Sequence, residues 1–416
     1  MQMHVERGRT SADTRPRVLY ITNQLPYPPH SGGQVREEQL LRRLGQEVAI
    51  DLLVLTEYFA RDSLNSPVVA EYCAGVTVVE STGLVDSADD SATPDKVRRY
   101  SSHLFGREIA RRLDSGSVDL IHVEGYFLLR HVPDTAVPIV LVAENIEYQL
   151  DRDLESSSST SGPSWTVSRK LEQAAWLRAS LCVALSKTDL DCIEQLEPQV
   201  NTTLVPNGFD HISQPTPRSR SDSASVLYFG NYSWPPTFDG AVRLLSSIWP
   251  QLSRLVPEAR LTLCGAEMPE SIHQLGTATE AVAVLGHFDS ASELLNRADV
   301  FVCPIDIGSG TKVKLIEAFR SGCPVVTTPH ALAGFSPAAT DAVAVASSDA
   351  EFVAQVRRLL EDPGLREELG RRGAAFAASQ FTWDQAGELL LDAWKRAMGA
   401  QPTEWSGTPI ASGAAE

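Results

Sequence analysis

Short apolar runs alternate with longer amphipathic segments along almost the whole chain, and this alternation restricts the fold more than any other feature. Runs such as RVLYIT (17–22) and VAIDLLVL (48–55) are apolar almost throughout, as strands of a parallel sheet covered on both faces must be. Segments such as 34–44 and 187–196 carry apolar residues at helical spacing. The repeated strand–helix order predicts a doubly wound α/β fold with parallel sheets.

The alternation stops once and then starts again, which predicts two domains. Residues 212–224 (ISQPTPRSRSDSA) are rich in Ser and Pro and lack periodicity, so they are typical of a linker. We therefore predict a first domain over 16–211 and a second over 225–380. An amphipathic helix over 381–398 and a disordered tail over 399–416 follow. A chain of 416 residues is long enough for two domains of this size.

Composition and charge exclude several classes of protein. A net charge of −17 argues against a protein that grips nucleic acid over a broad face. The six cysteines form no CxxC pair and have no His at metal-ligand spacing, which predicts buried thiols in a reducing compartment and no metal site. No apolar run approaches the ~20 residues of a transmembrane helix. We therefore expect a cytoplasmic protein without a transmembrane segment.

Polar residues follow predicted strands of the first domain, where ligands of open α/β sheets bind. Gly32 and Gly33, in LPYPPHSGGQVR, let the backbone approach a ligand at a helix N-terminus, although an ordinary strand-to-helix turn also explains them. His122 and Glu124, in DLIHVEGY, lie two apart and so share one face of a strand. They could orient a hydroxyl, stabilise positive charge or transfer a proton; a packed His beside a solvated Glu is the alternative.

The segment ENIEYQ (144–149) also follows a predicted strand and places Glu144, Asn145 and Glu147 at its end. Asn145 could cap the next helix, contact a substrate, or do both. No GxGxxG motif follows the first strand, so the chain lacks the glycine fingerprint of a nicotinamide-dependent dehydrogenase.

The strongest motif is CPIDIGSGTKVKLIEAFRSGCPVV, residues 303–326. A glycine-rich turn, the hydroxyl of Thr311 and the ammonium of Lys312 precede a helix, and together they are typical of an anion site. Lys312 is predicted to supply a point charge for phosphate, whereas Lys314 either does the same or points to solvent. Glu317, further along the helix, could accept the vicinal hydroxyls of a ribose. An amphipathic helix with ordinary charges is the alternative.

These residues resemble a known family. VPNGFD (205–210), the run over 286–304 and GSGTKVKLIEAFRSGCPVV (308–326) resemble the retaining GT-B glycosyltransferases of family 4, most closely a bacterial sugar-transferase subgroup with a G-x-G-T-[KR]-x-K-x-x-E-A pattern. The resemblance covers about residues 16–398. It implies two Rossmann-like domains facing a cleft, with the acceptor bound by the first domain and the donor by the second. It also implies that the last helix crosses back to the first domain.

The resemblance further implies the reaction. A sugar would pass from a UDP-, GDP- or dTDP-sugar to an acceptor with retention of the anomeric configuration, without a metal or cofactor. The acceptor would be a small molecule or a glycan, because the sequence lacks the basic amphipathic helix that would favour binding at a lipid surface. Glu124 and His122 are the predicted catalytic residues. The predicted donor-binding residues are Gly33, His287, Ser309, Gly310, Thr311, Lys312 and Glu317. The predicted acceptor-binding residues are Arg36, Asn145 and Glu147.

Two departures from the family pattern matter. Ser309 stands where the family has the first glutamate of its E-x7-E motif, whose second glutamate matches Glu317. The loop GNYSWPPTFDG (230–240) lacks the basic residues that many members place after the first strand of the donor domain, so Lys312 is expected to hold the diphosphate. The competing hypotheses are a nucleotide-sugar-binding protein without catalytic activity, which Ser309 favours, and a nucleotide-sugar epimerase, which Ser309 disfavours.

Overall fold

The computed structural model describes residues 1–6, 14–83, 93–156, 165–210, 224–286, 288, 290–380 and 382–399. Almost all of the predicted linker (212–224) and of the predicted tail (399–416) lies outside the described residues, and so does His287.

The first sheet contains eight strands among the described residues. They are β1 (Gln2–Glu6), β2 (Arg17–Thr22), β3 (Ala49–Thr56), β4 (Gly75–Glu80), β5 (Leu120–Glu124), β6 (Ile139–Ala143), β7 (Leu181–Ala184) and β8 (Thr202–Leu204). Their order is β1-β4-β3-β2-β5-β6-β7-β8, and every neighbouring pair is parallel except β1 with β4. Parallel strands need crossover connections, and the helices between them supply these.

Helices cover both faces of this sheet. They are α1 (Gly32–Glu47), α2 (Phe59–Val69), α3 (Asp95–Arg99), α4 (His103–Asp114), α5 (Tyr126–Leu129), α6 (Glu147–Ser156), α7 (Trp165–Arg178) and α8 (Lys187–Leu196). Two separate apolar clusters lie on the two faces of the strands, which explains why the strand sequences are apolar throughout.

The second sheet contains six strands among the described residues. They are β9 (Ser225–Phe229), β10 (Arg260–Cys264), β11 (Val282–Val284), β12 (Val300–Cys303), β13 (Val325–Thr327) and β14 (Ala344–Val345). Their order is β11-β10-β9-β12-β13-β14, and all neighbouring pairs are parallel. The predicted doubly wound α/β fold is therefore confirmed, with a second sheet that is wholly parallel and a first sheet that is parallel except for β1.

Helices of the second half cover this sheet in the same way. They are α9 (Pro235–Arg243), α10 (Trp249–Leu255), α11 (Glu270–Thr277), α12 (Ala291–Arg297), α13 (Val313–Arg320), α14 (Asp349–Glu361), α15 (Pro363–Ala378) and α16 (Trp383–Ala397). A π-helical turn over Leu244–Ile248 joins α9 to α10.

The last helix, α16, packs on the first sheet rather than on the second. Trp383, Leu390 and Trp394 are fully buried in the apolar cluster that contains α1 and one face of β2 and β3. The backbone N–H of Trp383 donates to Asp210 Oδ1 over 2.7 Å and fixes the entry of the helix. The chain therefore crosses between the domains twice, and α16 ties them together.

Strand β1 was not predicted from the sequence. Residues 2–6 pair with β4 from Gln2 opposite Val79 to Glu6 opposite Gly75. The pairing covers the edge of the parallel sheet, where backbone groups would otherwise face water. Met3 and Val5 alternate with polar residues in this segment, but five residues with two apolar side chains are too short a pattern to predict a strand without its partner.

Candidate active site

The two sheets face each other across a cavity of about 750 Å³. In the first sheet the strand order reverses between β2 and β5, and in the second it reverses between β9 and β12. Open α/β sheets bind ligands outside the carboxyl ends of strands at such switch points. Residues that follow β2, β5, β6, β9 and β12 all line the cavity, so both switch points open into one site.

Two helix N-termini meet in this cavity. Helix α1 begins at Gly32, directly after its N-cap Ser31, whose hydroxyl accepts the backbone N–H of Gln34 over 3.2 Å. A Cβ atom on Gly32 would lie 2.8 Å from Val313 Cγ2, at the start of α13. A Cβ atom on Gly33 would lie 2.6 Å from Gln24 Nε2. Glycine therefore lets two positive helix ends approach, which favours an anion between them.

The ammonium of Lys312 holds the glycine-rich loop together. Its Nζ donates to three carbonyl oxygens of the same loop, those of Gly308 at 3.1 Å, Ser309 at 2.6 Å and Gly310 at 3.1 Å. Gly308 and Gly310 have φ of +85° and +72°, a backbone that favours glycine. All three ammonium hydrogens are thus used inside the protein, so Lys312 shapes the loop instead of presenting a free charge to phosphate.

Lys314 occupies the place where the sequence showed a missing cation. Its Nζ donates to Thr237 Oγ1 over 2.8 Å and lies 5.2 Å from the centre of the Tyr228 ring. A Cβ atom on Gly230, the first residue after β9, would lie 2.6 Å from this Nζ. Burial lowers the pKa of the Lys314 ammonium to about 8. Residues 230–240 contain no basic side chain. The ammonium of Lys314, which comes from α13, lies beside them instead.

Ser309 contacts the first domain. Its Oγ accepts the backbone N–H of Ile146 over 2.7 Å and donates to the carboxylate of Asp189, which also accepts the N–H of Gly310. Asp189 is 1% exposed and also accepts the hydroxyl of Ser186 over 2.6 Å. A glutamate at position 309 would place a second carboxylate against Asp189. The serine is therefore complementary to the first domain of this chain.

Thr311 and Arg36 meet through Asn207 of the VPNGFD segment. Asn207 Nδ2 donates to Thr311 Oγ1 over 2.8 Å, and its Oδ1 accepts Nη1 of Arg36 over 3.0 Å. Arg36 is 1% exposed and lines the cavity. Its Nε and Nη2 atoms are buried and have no hydrogen-bond partner in the part of the chain that the structure describes. These two atoms form one edge of the guanidinium, which suits a pair of anionic oxygens.

Glu124 is the best-supported polar group on the first-domain side. Its Oε1 accepts the hydroxyl of Tyr20 at 2.5 Å and lies 2.9 Å from Nε2 of His122. The indole N–H of Trp394 donates to Nδ1 of His122 over 2.9 Å. An indole N–H can only donate, so Nδ1 is the acceptor and Nε2 carries the hydrogen that points to Glu124.

This network separates the roles of the two predicted catalytic residues. Glu124 lines the cavity and is 4% exposed, and its Oε2 is buried without a hydrogen-bond partner among the described residues. His122 is fully buried, and both of its ring nitrogens are occupied, so it orients Glu124 and does not face the cavity. The Tyr20 ring stacks on it with the ring centres 4.1 Å apart. The sequence predicts a catalytic role for His122, but the structure places it behind Glu124, outside the lining of the cavity.

The surroundings keep Glu124 ionised and its neighbour partly protonated. Burial raises the pKa of the Glu124 carboxyl, but the hydrogen bond from His122, the charge of Arg36 and the hydrogen bond from Tyr20 outweigh this effect and leave the pKa below its usual range. Burial and the charge of Glu124 raise the pKa of Glu144 to about 7. One carboxylate of this pair is thus available to stabilise positive charge near neutral pH.

Asn145 and Glu147 lie at the edge of the cavity after β6, together with residues that the sequence analysis did not single out. Glu147 Oε1 accepts the ammonium of Lys96 over 2.6 Å. Glu172 accepts the backbone N–H of Glu147 over 3.0 Å and thereby caps α6. Asn145 Oδ1 lies 3.3 Å from where a Cβ atom of Gly310 would stand, so it packs against the glycine-rich loop.

Other predicted residues also line the cavity. Glu317 lies on α13 one turn after Lys314, and its charge acts on that ammonium. Ser309, Thr311 and Gly33 lie around the same opening. The residues that the sequence did not indicate are Tyr20, Asp189 and Trp394. In the sequence, Tyr20 and Trp394 have the spacing of core residues, and Asp189 looks like an ordinary acidic residue in the first turn of a helix.

Comparison with known proteins finds similarity to glycosyltransferases. Residues 223–362 match the family described as Glycosyl transferases group 1. The phosphatidyl-myo-inositol mannosyltransferase of Propionibacterium freudenreichii subsp. shermanii is 25% identical over 301 residues, which cover 68% of this chain and 72% of that protein. No helix of the described residues is long and apolar enough to cross a membrane.

Solved structures share the architecture at low sequence identity. The sucrose-phosphate synthase from Thermosynechococcus elongatus is 16% identical, with a TM-score of 0.68 over 93% of this chain and 100% of that one. The Anabaena protein HepE, solved in complex with UDP and glucose, is 16% identical, with a TM-score of 0.63 over 90% and 98%. WaaG, a glycosyltransferase involved in lipopolysaccharide biosynthesis, is 15% identical, with a TM-score of 0.62 over 92% and 100%.

These comparisons agree with the two facing sheets and with the position of the cavity. They support glycosyltransferase activity for the chain. The chain therefore has the two-domain GT-B fold of these structures, and residues 223–362 match the model of the group 1 glycosyl transferases.

Proposed function

We propose that this protein transfers a sugar from a nucleoside diphosphate sugar to a small-molecule or glycan acceptor, with retention of the anomeric configuration and without a metal ion. The observation that carries the proposal is the convergence of two helix N-termini, the Lys314 ammonium and the free edge of Arg36 on one cavity. These groups supply positive charge where a departing diphosphate would develop negative charge.

The donor has a consistent place in this arrangement. The diphosphate lies between the start of α1 and the start of α13, and Lys314 and Arg36 contact its oxygens. Glu317, which lines the cavity further along α13, accepts the ribose hydroxyls. Relatives solved with UDP support a uridine donor as the first to test, since the Anabaena protein binds UDP and glucose.

Retention is supported by the group on the opposite side of the sugar. Glu124 has one buried oxygen without a partner among the described residues and a carboxylate held in its ionised form. A fixed carboxylate stabilises a sugar that gains positive charge as the diphosphate leaves. The leaving diphosphate then takes the proton of the acceptor hydroxyl on the same face, so no further strong base is needed.

A reaction with purified protein tests the proposal. Glucose and mannose donors linked to UDP, GDP and dTDP are incubated with neutral and charged sugar, cyclitol and glycan acceptors, with and without EDTA. We expect product with one nucleotide class, the same anomeric configuration by NMR and an unchanged rate in EDTA. Inversion at the anomeric carbon would refute the retaining mechanism, and loss of activity in EDTA that Mg²⁺ restores would refute metal independence.

A nucleotide-sugar-binding protein without catalytic activity is the second candidate. It is favoured by the contact of Ser309 with Asp189, which leaves no carboxylate at that position to hold the donor sugar. Tight donor binding without transfer or donor hydrolysis under any acceptor would support it.

A further inference from the structure

The side of the cavity formed by the first domain has more carboxyl groups than cationic side chains beside them. We define the acidic wall by four carboxylates that line the cavity: Glu144, Glu147, Asp151 and Glu172. The ammonium of Lys96 is hydrogen-bonded to Glu147, and its charge lowers the pKa values of the other three carboxyls. The charge of Arg36 also lowers the pKa of Glu144. The wall thus contains more carboxylates than neighbouring cations.

Two buried oxygens of this wall, Glu144 Oε1 and Glu147 Oε2, have no hydrogen-bond partner among the described residues. Glu147 is 7% exposed, and its Oε1 is taken by Lys96, 2.6 Å away. Its Oε2 is buried and accepts no hydrogen bond from any residue that the structure describes. Leaving a buried carboxylate oxygen without a donor costs free energy, so the site favours a ligand that brings one.

The protein alone relieves the crowding of charge by holding protons. Burial and the charge of Glu147 raise the pKa of Glu172 to about 8, and Glu144 titrates near 7 for the reasons given above. The other titratable groups that face Glu172 are Lys96, Tyr126 and Cys192. A ligand cation would take the place of these protons and leave the wall ionised.

We propose that the acidic wall binds an ammonium group of the acceptor, which makes the acceptor an amino-substituted sugar or cyclitol. This inference rests on the proposed glycosyltransferase function and specifies its acceptor class. Tyr126, Phe127 and Trp176 also line the cavity, with 7%, 5% and 1% of each residue exposed. The Lys96 ammonium already lies 5.6 Å from the centre of the Phe127 ring. An acceptor with a phosphate here would meet like charge.

Calorimetry with matched ligands tests this assignment. With saturating nucleoside diphosphate, we would titrate a panel of amino sugars and aminocyclitols, each beside its N-acetyl derivative, which has the same ring but no charge. We expect at least one amine to bind about tenfold or more tightly than its amide, a difference of about 1.4 kcal/mol. Because the wall loses protons, binding should release protons into the buffer near pH 7 and strengthen as pH rises from 6 to 8.

Variants locate the effect. Glu147→Gln should remove most of the preference for the amine and leave the amide unchanged, whereas Glu388→Gln, an exposed carboxylate on α16, should change neither. Asp151→Asn gives a second change within the wall. The melting temperature of each variant shows whether the fold is kept. An amine preference that persists in folded Glu147→Gln and Asp151→Asn proteins would overturn the assignment.

Other outcomes separate the possible sources of the effect. Transfer to neutral acceptors without any advantage for amines would overturn this inference and leave the proposed function intact. Absence of transfer to every acceptor would count against the proposed function, although proton-linked amine binding would still support the site. Preference for an amino-sugar donor over its neutral analogue, with no preference among acceptors, would place the ammonium on the donor and refute the acceptor assignment. Stabilisation by Mg²⁺ in place of amines would also refute it.

Discussion

Replacing Lys314 with Met tests which lysine holds the diphosphate. The change keeps most of the apolar stem and removes only the ammonium, whose Nζ lies 2.8 Å from Thr237 Oγ1 and beside Gly230. A hydrogen bond to a charged group contributes about 1.5–3 kcal/mol. The Kd for the nucleoside diphosphate should therefore rise about tenfold to about 150-fold.

The assay compares a nucleoside diphosphate with its nucleoside. UDP, GDP or dTDP is chosen by the largest thermal shift of the unsubstituted protein, and both ligands are titrated by calorimetry. Lys314→Met should weaken the diphosphate and leave the nucleoside unchanged, because the ammonium contacts only phosphate. Lys187→Met, which removes an exposed charge paired with Asp191, is the control and should change neither affinity.

The pH dependence supplies a second check. The Lys314 ammonium has a pKa of about 8 in the free protein, and a bound diphosphate would stabilise its charged form. Binding should therefore take up protons near pH 8, and affinity should fall as pH rises from 8 to 9. Gly230→Ala, whose Cβ would lie 2.6 Å from Nζ, should displace the ammonium and weaken binding. Unchanged diphosphate binding by Lys314→Met, or an equal loss for the nucleoside, would refute the reasoning.

Three further predictions follow from the same contacts. Glu124→Gln should lower kcat by about 10²- to 10³-fold with little change in KM, because the carboxylate charge matters most in the transition state. Trp394→Phe removes the hydrogen bond to Nδ1 of His122 and should lower kcat less. A normal kcat for Glu124→Gln would contradict this reasoning. Glu317→Gln should raise the donor KM, and an unchanged donor affinity by calorimetry would remove the ribose contact. Burial raises the pKa of Glu172 in the folded protein to about 8. The free energy of unfolding should therefore fall as pH rises from about 5 to 8, by up to about 1.4 kcal/mol per pH unit. Urea titrations should show a smaller pH dependence for Glu172→Gln.

The architecture could be predicted from the sequence because it depends on local patterns. Strand β2 matches the predicted run 17–22 at both ends, and β3 is shifted by one residue from the predicted run 48–55, since a strand buried on both faces is apolar along its whole length. The glycine-rich segment before α13 was located for a similar reason, because a tight turn and a helix start restrict which residues can stand there. Strand β1 was missed, since its pairing with β4 depends on residues about 70 positions away.

The tertiary structure decided which charged groups face the ligand. The motif alone favours Lys312 over Lys314 as the phosphate ligand. In the structure the ammonium of Lys312 donates to three loop carbonyls, whereas that of Lys314 lies beside Gly230 and donates to Thr237. His122 carries a catalytic residue type, yet Trp394, 272 positions away, occupies one of its nitrogens. The sequence by itself determined the fold class and the edges of the sheets where chemistry occurs, because hydrophobic periodicity is local. The role of each side chain depends on its hydrogen-bond partners, and folding brings those partners from distant parts of the chain.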